Sequence, residues 1–317
     1  MQFWYKKFSV FSVLLSPLAL LYAAIMRVRY FLYRKNILKS IHFSVPVVVV
    51  GNITVGGTGK TPLVMAIAEH FKNLGYRPGL VSRGYGGKAR IWPQWVTENS
   101  DPNLVGDEPI LLVQKTKLPM VVAPDRVAAV LMLLKKTDCN LVVSDDGLQH
   151  LAMGRTCEIV IVDAERQFGN GLCLPAGPLR EPISRLKTVN AIVMNGDCVR
   201  NSVFSMELLP QDLQSISENL AASPPTPPMR VHAVAGIGNP ERFFLQLEHL
   251  GFEIIRHAFS DHYVFLKTDL EFGDDLPIIM TEKDAVKCRQ FDLKNAWCLP
   301  VRAQLSQEFF LMLRALL

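Results

Sequence analysis

The sequence predicts an α/β protein with a doubly wound, mostly parallel sheet, and three observations support this fold. Six short runs of β-branched and other apolar residues end at or near Gly, Ser, Asp or Asn, at positions 45–52, 78–84, 119–125, 140–146, 157–164 and 190–196. Helix-length stretches separate several of these runs. The runs are continuous rather than alternating in polarity, which is typical of strands buried on both faces of a parallel sheet. A glycine-rich turn follows the first run, where such a sheet binds its ligands.

The composition is that of a folded protein with a large core. The 317 residues are 49% hydrophobic and 20% charged, enough for one large or two medium domains. A disordered chain, a collagen and a small disulfide scaffold are excluded. The six cysteines form no C-x-x-C and no Cys/His pattern of metal-ligand spacing, which argues against a zinc ribbon or a redox pair. Scattered thiols are typical of a reducing compartment, so we expect a chain that faces the cytosol.

The net charge of +5 is concentrated at the N-terminal end. Residues 1–42 contain seven Lys and Arg and no acidic residue, which leaves 27 basic against 29 acidic residues in the rest of the chain. A nearly neutral body without an aromatic and basic face argues against a nucleic-acid motor. We therefore expect no nucleic-acid partner.

An apolar segment at residues 8–26 is flanked by two lysines and two arginines. Its 19 residues are marginal for a bilayer span, which needs about 20, and Pro17 would kink a helix there. A single span, an interfacial helix, a signal peptide and an ordinary buried helix are the alternatives. A signal peptide is disfavoured because a glycine-rich, phosphate-binding loop follows this segment, and such a loop needs the nucleotide of the cytosol. The basic flanks and neighbouring Trp and Tyr residues favour attachment to an anionic membrane surface.

A phosphate-binding loop gives the strongest signal. The sequence VVVVGNITVGGTGKT places a buried strand before a glycine-rich turn, with Lys60 and Thr61 at the start of a helix. Backbone N–H groups and the helix N-terminus form an anion cradle, Lys60 can reach the β- and γ-phosphates, and the Thr61 hydroxyl can bind Mg²⁺. The motif G-x-x-x-x-G-K-[ST] has one departure, since Thr54 replaces its first glycine. The residues predicted to bind the nucleotide are Thr54, Val55, Gly56, Gly57, Thr58, Gly59, Lys60 and Thr61.

Paired carboxylates end a second buried run. Asp145 and Asp146 follow LVVS, and a strand there would place them beside the phosphate loop, where they could hold Mg²⁺. The alternative is that they only cap a helix. We predict a metal site made by Thr61, Asp145 and Asp146.

A proline-rich segment divides the chain. Residues 221–229 contain four prolines and no periodicity, which is typical of a semi-rigid linker. Further apolar runs predict a second, smaller α/β unit that ends in a helix at 307–317. We therefore expect a membrane-associating segment at 1–42, a phosphate-binding core at 43–220, the linker at 221–229 and the second unit at 230–317.

Seven motifs together resemble one known family, the tetraacyldisaccharide 4'-kinases of lipid A biosynthesis. They are GNITVGGTGKTP, SRGYGG, GDEP, SDDGLQH, LPAGPLREP, DHYVF and TEKDAVK, at positions 51–62, 82–87, 106–109, 144–150, 174–182, 261–265 and 281–287. The motifs occur in the family's order over nearly the whole chain, so the combination is specific even though each piece alone is not.

The resemblance implies a P-loop NTPase-like core and transfer of the ATP γ-phosphate to the 4'-hydroxyl of a tetraacylated glucosamine disaccharide 1-phosphate, giving lipid IVA. It implies ATP and Mg²⁺ as cofactors, a lipid substrate and a place at the cytoplasmic face of the bacterial inner membrane. We expect no obligate protein partner. The residues alone indicate a membrane-associated, Mg²⁺-dependent phosphotransferase. The identity of the acceptor is implied only by the resemblance to the family.

The resemblance also suggests catalytic roles. Asp107 in GDEP matches the family's base position, and His262 in DHYVF matches the histidine thought to assist it; Lys60 completes the predicted catalytic set. Without the family, Asp107 would be a turn cap and His262 an interface histidine. Because His262 belongs to the second unit, catalysis would require the two units to close on each other.

Further matched positions predict substrate contacts. A guanidinium can bind a phosphate and an aromatic ring can face a sugar, whereas surface ion pairs are the alternative. The residues concerned are Arg83, Tyr85, Arg126, Gln149, Arg180 and Glu181. His150 follows Gln149 and either positions substrate or caps a helix. In TEKDAVK a capping turn made by Thr281 is favoured over a loop that contacts a purine base.

A membrane-associated switch ATPase of the partitioning type is the alternative function. Such proteins share G-G-x-G-K-T after a strand but carry a signature lysine before the paired glycines. Here that position is Val55, which counts against the switch.

Overall fold

The computed structural model describes residues 2–6, 8–196, 203–216 and 223–317. Lys7, Cys198 and the first two residues of the predicted linker, Ala221 and Ala222, lie outside the described residues. The helices are α1 (Val10–Arg34), α2 (Lys60–Asn73), α3 (Pro102–Val105), α4 (Asp107–Thr116), α5 (Arg126–Lys136), α6 (Pro240–His249), α7 (Glu282–Cys288) and α8 (Gln307–Leu316). Short 3-10 helices lie at Gln2–Tyr5, Ile183–Thr188, Lys267–Leu270 and Arg289–Phe291.

The strands form two sheets. They are β1 (Val47–Gly51), β2 (Pro78–Ser82), β3 (Gln94–Val96), β4 (Met120–Val122), β5 (Leu141–Asp145), β6 (Cys157–Asp163), β7 (Ala191–Asn195), β8 (Phe204–Pro210), β9 (Gln214–Ser215), β10 (Arg230–Ala235), β11 (Glu253–Ala258), β12 (Ile278–Thr281), β13 (Ala296–Leu299) and β14 (Val301–Leu305).

The first sheet confirms the predicted doubly wound fold. Among the described residues it has nine strands in the order β14-β8-β7-β6-β1-β5-β2-β4-β3, and all but the edge strands β3 and β14 run parallel. Helices α2, α4 and α8 cover one face; α5 and part of α1 cover the other. Strands β2 to β5 lie on one side of β1, and strands β6, β7, β8 and β14 lie on the other side. The strand order therefore reverses at β1, which places a ligand site at its carboxyl end.

The second sheet has the order β11-β10-β12-β13-β9 within the described residues, with only β9 antiparallel. Helix α6 buries Phe243, Phe244 and Leu247 against one face. Phe265 and Leu270 pack with α7 residues on the other face. Helix α7 also packs against α4 of the first unit, so the two units meet along these helices.

The observed division of the chain differs from the predicted one. Strand β9 precedes the proline-rich segment but pairs with β13, so the described part of that segment, 223–229, lies within the second unit. The chain instead passes between the sheets after β8 and again after β13, where the Gln211 amide donates to the Pro300 carbonyl at 2.8 Å. Strand β14 then pairs with β8, and α8 buries Phe309 and Leu313 in the first core. Residues 301–317 thus belong to the first unit because its edge strand and α2 provide their apolar partners.

Helix α1 is mostly exposed. It is long and apolar enough to cross a membrane by length and composition, and 17% of its most apolar 18-residue window is buried. Its buried residues are Ser12, Ala19 and Ala23. The Tyr22 hydroxyl donates to the Arg180 carbonyl at 3.0 Å, which fixes the helix on the first unit. The ordinary buried helix considered from the sequence is therefore excluded, and the exposed apolar face needs another environment.

Candidate active site

The phosphate loop connects β1 to α2 as predicted. Gly56 and Gly59 have φ values of 103° and 93°, which a side chain would strain, and Lys60 begins α2. The φ of Thr54 is not positive, and this residue forms an isolated antiparallel bridge with Leu179. An extended backbone does not require glycine, which explains why threonine is accepted at the motif's first glycine position.

Both units line a cleft of about 490 Å³ at the carboxyl end of β1. The predicted site residues that line it are Val55, Gly56, Gly57, Thr58, Gly59, Lys60, Thr61, Arg83, Tyr85, Asp146, Arg180 and His262. The predicted residues that are not among the lining residues are Thr54, Asp107, Arg126, Asp145, Gln149 and Glu181. The fold thus brings most of the predicted set to one place.

Asp146 lies in a cluster of basic groups. Its Oδ1 is 3.7 Å from Lys60 Nζ, and its two carboxylate oxygens are 3.1 and 3.0 Å from the Arg180 guanidinium. The Arg126 guanidinium donates to its backbone carbonyl at 3.1 Å. Burial acts to raise the pKa of Asp146, but Lys60 and Arg180 outweigh it and lower that pKa. Asp146 therefore keeps its negative charge in the cleft.

Asp145 is buried at the end of β5, beside Val50 of β1. Neither of its carboxylate oxygens has a hydrogen-bond partner among the described residues. Burial first, and then the charge of Glu108, raise the pKa of Asp145 to about 7. A buried carboxylate without a partner is costly, so these oxygens fit a cation.

The residues present are compatible with Mg²⁺. The described part of the chain contains no group of three His, Cys, Asp or Glu side chains that could hold a metal. Mg²⁺, however, is usually bound by one or two carboxylates together with substrate phosphates and water. Asp145, Asp146 and the Thr61 hydroxyl could supply the protein ligands beside the phosphate loop.

Asp107 and His262 meet across the two units. Asp107 begins α4 and is 5% exposed; its Oδ1 accepts from the Glu108 amide at 2.9 Å and lies 3.3 Å from His262 Nδ1. The Tyr85 ring packs against the imidazole, with centroids 4.8 Å apart. Burial raises the pKa of Asp107, but the hydrogen bond from His262 and the charge of Lys283 outweigh it and lower that pKa. Asp107 is therefore a carboxylate at neutral pH.

Lys283 is a site residue that sequence reasoning missed. Its Nζ lies 3.1 Å from Glu108 Oε1, 3.2 Å from Asp261 Oδ1 and 3.3 Å from His262 Nε2. The only sequence signal was its place in TEKDAVK. The prediction that Thr281 caps the helix there is confirmed, since its hydroxyl accepts from the Asp284 amide at 3.2 Å.

Two further missed residues support the phosphate loop. Arg166 donates to the carbonyls of Gly57 and Gly238, at 3.1 Å for the latter, and so connects the loop to the second unit. Asn195 at the end of β7 donates to the Thr58 carbonyl at 3.0 Å. Neither belongs to a recognised motif, so only the fold identifies them.

Gln149 and Glu181 lie in a buried network rather than on the cleft surface. Gln149 donates to Glu181 at 2.7 Å and to the Asn52 carbonyl at 3.0 Å, and Arg185 donates to Glu181 at 3.2 Å. Burial raises the pKa of Glu181 despite these partners. His150 lies 3.4 Å from Asp125. The predicted substrate contacts of this group stay predictions.

Arg126 lies behind the cleft. Its guanidinium donates to the Pro124 carbonyl as well as to Asp146, and burial lowers its pKa to about 10. It remains a cation at neutral pH and contributes positive charge behind Asp146. Arg83 and Tyr85, in contrast, reach the open surface of the cleft.

Comparison with known proteins agrees with this architecture. The sequence matches the family described as Tetraacyldisaccharide-1-P 4'-kinase over residues 11–317. A tetraacyldisaccharide 4'-kinase from Alkalilimnicola ehrlichii is 52% identical over 291 residues, which cover 92% of this chain and 88% of the relative. One from Coxiella burnetii is 50% identical over 310 residues, covering 97% and 92%.

A solved structure is similar along the whole fold. The crystal structure of "apo" form LpxK from Aquifex aeolicus in complex with ATP has a TM-score of 0.79 and 27% identity, covering 96% of this chain and 99% of that chain. The resemblance inferred from the seven motifs is confirmed. The chain belongs to the tetraacyldisaccharide-1-phosphate 4'-kinase family.

Proposed function

We propose that this chain transfers the γ-phosphate of ATP to the 4'-hydroxyl of a tetraacyldisaccharide 1-phosphate, giving lipid IVA. The observation that carries the proposal is the Asp107–His262 pair, which lies 3.3 Å apart beside a cleft that also contains the phosphate loop. A candidate base whose partner His262 lines the same cleft as a triphosphate cradle is what phosphoryl transfer to an alcohol needs. A switch ATPase, the alternative considered from the sequence, requires no such base, and the family match does not support it.

The phosphate loop and its neighbours bind the nucleotide in this proposal. Backbone N–H groups of the loop and the N-terminus of α2 face the phosphates. Lys60 and Arg180 place two positive charges near Asp146, and on nucleotide binding they are available to the γ-phosphate. Their charge stabilises the oxygens of the transferring group, which is the main catalytic contribution in this class of reaction.

Thr61, Asp145 and Asp146 would hold Mg²⁺. When bound, the ion neutralises phosphate charge during transfer. The partnerless, buried oxygens of Asp145 support this assignment. The raised pKa of Asp145 has burial as its first cause, and a nearby cation would favour the carboxylate form.

Asp107 acts as the base. Its two contacts with His262 and with the Glu108 amide both use Oδ1, which leaves Oδ2 for the acceptor hydroxyl. The 4'-oxygen forms a bond to the γ-phosphorus, the bond from that phosphorus to the β–γ bridging oxygen breaks, and the hydroxyl proton passes to Asp107. ADP leaves with the bridging oxygen. The lowered pKa of Asp107 means that this carboxylate is ionised at neutral pH before the acceptor binds.

The acceptor is recognised by groups around the cleft. Arg83 and Tyr85 lie at its open surface, where a guanidinium can bind the 1-phosphate and a ring can face a sugar. Arg126 and Arg180 add positive charge, and Gln149 and Glu181 support this wall from within. These assignments rest on matched motif positions and on charge.

Helix α1 attaches the enzyme to the cytoplasmic face of the inner membrane. Its exposed apolar face, with basic residues at both ends, suits an anionic lipid surface. The same surface contains the lipid substrate, so attachment shortens the path from membrane to cleft.

The decisive test is phosphate transfer from γ-labelled ATP to purified tetraacyldisaccharide 1-phosphate in mixed micelles with Mg²⁺. Labelled lipid that depends on acceptor is the expected result. The Lys60→Ala variant should lose several orders of magnitude of this activity through lost phosphate stabilisation. ATP hydrolysis without labelled lipid would refute the kinase and favour the switch ATPase.

A further inference from the structure

The proposed role of Asp107 as the base does not by itself explain why the Lys283 ammonium lies beside His262. It belongs to α7 of the second unit, yet it contacts Glu108 of the first unit and the outer nitrogen of His262. Its side chain is 15% exposed. Burial acts to lower its pKa, but Glu108, Asp107 and Asp261 outweigh this and raise it. Lys283 is therefore a cation at neutral pH.

This cation defines the roles of the two ring nitrogens of His262. A lysine ammonium has three donors and no acceptor, so in a hydrogen bond with Nε2, 3.3 Å away, Nε2 is the unprotonated acceptor. A neutral imidazole then carries its hydrogen on Nδ1, which lies 3.3 Å from Asp107 Oδ1. We propose that Lys283 is a positioning residue that holds His262 neutral in the Nδ1–H tautomer, so that the imidazole donates to Asp107.

The surroundings of His262 show why a cation is needed there. Charged or titratable groups contact the imidazole from each element packed against it, namely Asp107 from α4, Asp261 from its own loop, Lys283 from α7 and Tyr85 from the loop after β2. Glu108 of α4 contacts Lys283 instead. Lys287, one turn further along α7, is paired with Asp284 at 2.6 Å. Asp107 and Asp261 would each favour an N–H on the ring nitrogen nearest to them. Lys283 opposes this at Nε2, where its ammonium lies 3.3 Å away.

The consequence concerns the proposed reaction and rests on the proposed role of Asp107 as its base. A neutral His262 gives Asp107 one fixed hydrogen bond on Oδ1 and leaves Oδ2 for the hydroxyl. An imidazolium would instead bring a second positive charge and a freely exchangeable proton beside the base. A third group that fixes the tautomer of a histidine is a general device for orienting a catalytic pair.

The first measurement is the protonation pattern of His262 by nitrogen NMR of the full-length protein, labelled with ¹⁵N-histidine, in detergent at neutral pH without substrates. The resonance is assigned by its loss in His262→Gln. In the wild type, Nδ1 should carry hydrogen and Nε2 should not. In Lys283→Met, Nε2 should gain hydrogen, whereas Lys283→Arg, which keeps a charged donor, should retain the wild-type pattern. Lys117→Met is the matched control, since Lys117 pairs with Glu98 on the surface.

The second measurement is the split between kcat and KM. Loss of an outer orienting partner typically costs about ten- to a hundredfold in activity, so Lys283→Met should lower kcat to this degree with KM for ATP retained. Lys283→Arg should recover most of kcat, and Lys117→Met should match the wild type. A protonated Nε2 in the wild type, or a Lys283→Met enzyme with the wild-type spectrum or normal kcat, would overturn the proposal. A wild type that never labels lipid would refute the kinase and leave the tautomer result standing.

Discussion

Replacing Gly238 by alanine is expected to lower kcat by about a hundredfold, because a misplacement of about 1 Å can cost that much in an active site. Gly238 lies where the second unit meets the phosphate loop with no side chain between the two backbones. A methyl group there would be 2.5 Å from the Gly57 amide nitrogen and 3.2 Å from Asp261 Oδ2. The φ of Gly238 is not positive, so the contact rather than backbone strain carries the effect.

The size of the displacement follows from these distances. Carbon contacts below 3.0 Å essentially do not occur and ordinary contacts begin near 3.4 Å, so the two backbones must separate by 0.5 to 0.9 Å. Such a separation weakens the Arg166 bridge between Gly57 and Gly238. It also moves Asp261 and the adjoining His262 away from the first unit, and so disturbs the 3.3 Å contact between His262 and the base Asp107.

The assay is the initial rate of phosphate transfer to lipid at saturating concentrations of both substrates, with the melting temperature measured in parallel. The melting temperature should change little, since the contact lies at the cleft surface and not in either core. A wild-type kcat in Gly238→Ala would show that the units do not adopt this arrangement during turnover. A large loss of melting temperature would instead attribute the effect to folding.

Four further outcomes are expected. Asp107→Asn should lower kcat by about 10²- to 10⁴-fold, the usual contribution of a general base, with ATP affinity by calorimetry retained; an unchanged kcat would make Asp107 a turn residue. Burial raises the pKa of Asp107 and the bond from His262 lowers it, so His262→Ala should raise that pKa and move the acid limb of the kcat profile to higher pH, not lower. Arg185→Met removes the only cation paired with the buried Glu181 among the described residues, while Glu158 keeps Arg155, and urea unfolding should show a loss of about 3 kcal/mol. Deleting residues 1–27 should weaken sedimentation with anionic vesicles, and undiminished binding would indicate a second attachment surface.

The sequence predicted the site to the extent that local pattern determines it. Continuous apolar runs predicted the parallel strands, and the carboxyl ends of neighbouring parallel strands meet at one edge. That rule places Asp145 beside the loop that follows Val50, as the register of β1 and β5 shows. The loop itself was identifiable because its glycines and Lys60 have fixed spacing.

Long-range contacts could not be predicted in the same way. Lys283 and Glu108 are 175 positions apart, and nothing in either segment specifies the other. Strand β14 presented a similar difficulty. It alternates between exposed and buried positions as an edge strand does, but its partner β8 is known only once the sheet is assembled. The proline-rich segment looked like a boundary by composition, whereas the chain crosses between the units elsewhere.

The return of β14 and α8 to the first sheet has a consequence for biosynthesis. The ribosome completes every residue of the second unit before it makes the strand that covers the edge of β8. Until then the nascent first unit exposes an unpaired strand edge and the apolar side of α2, a surface prone to association with other chains. The second unit thus folds as an insert within an unfinished first unit, and a premature stop after β13 would spare the insert while leaving the nucleotide-binding half open.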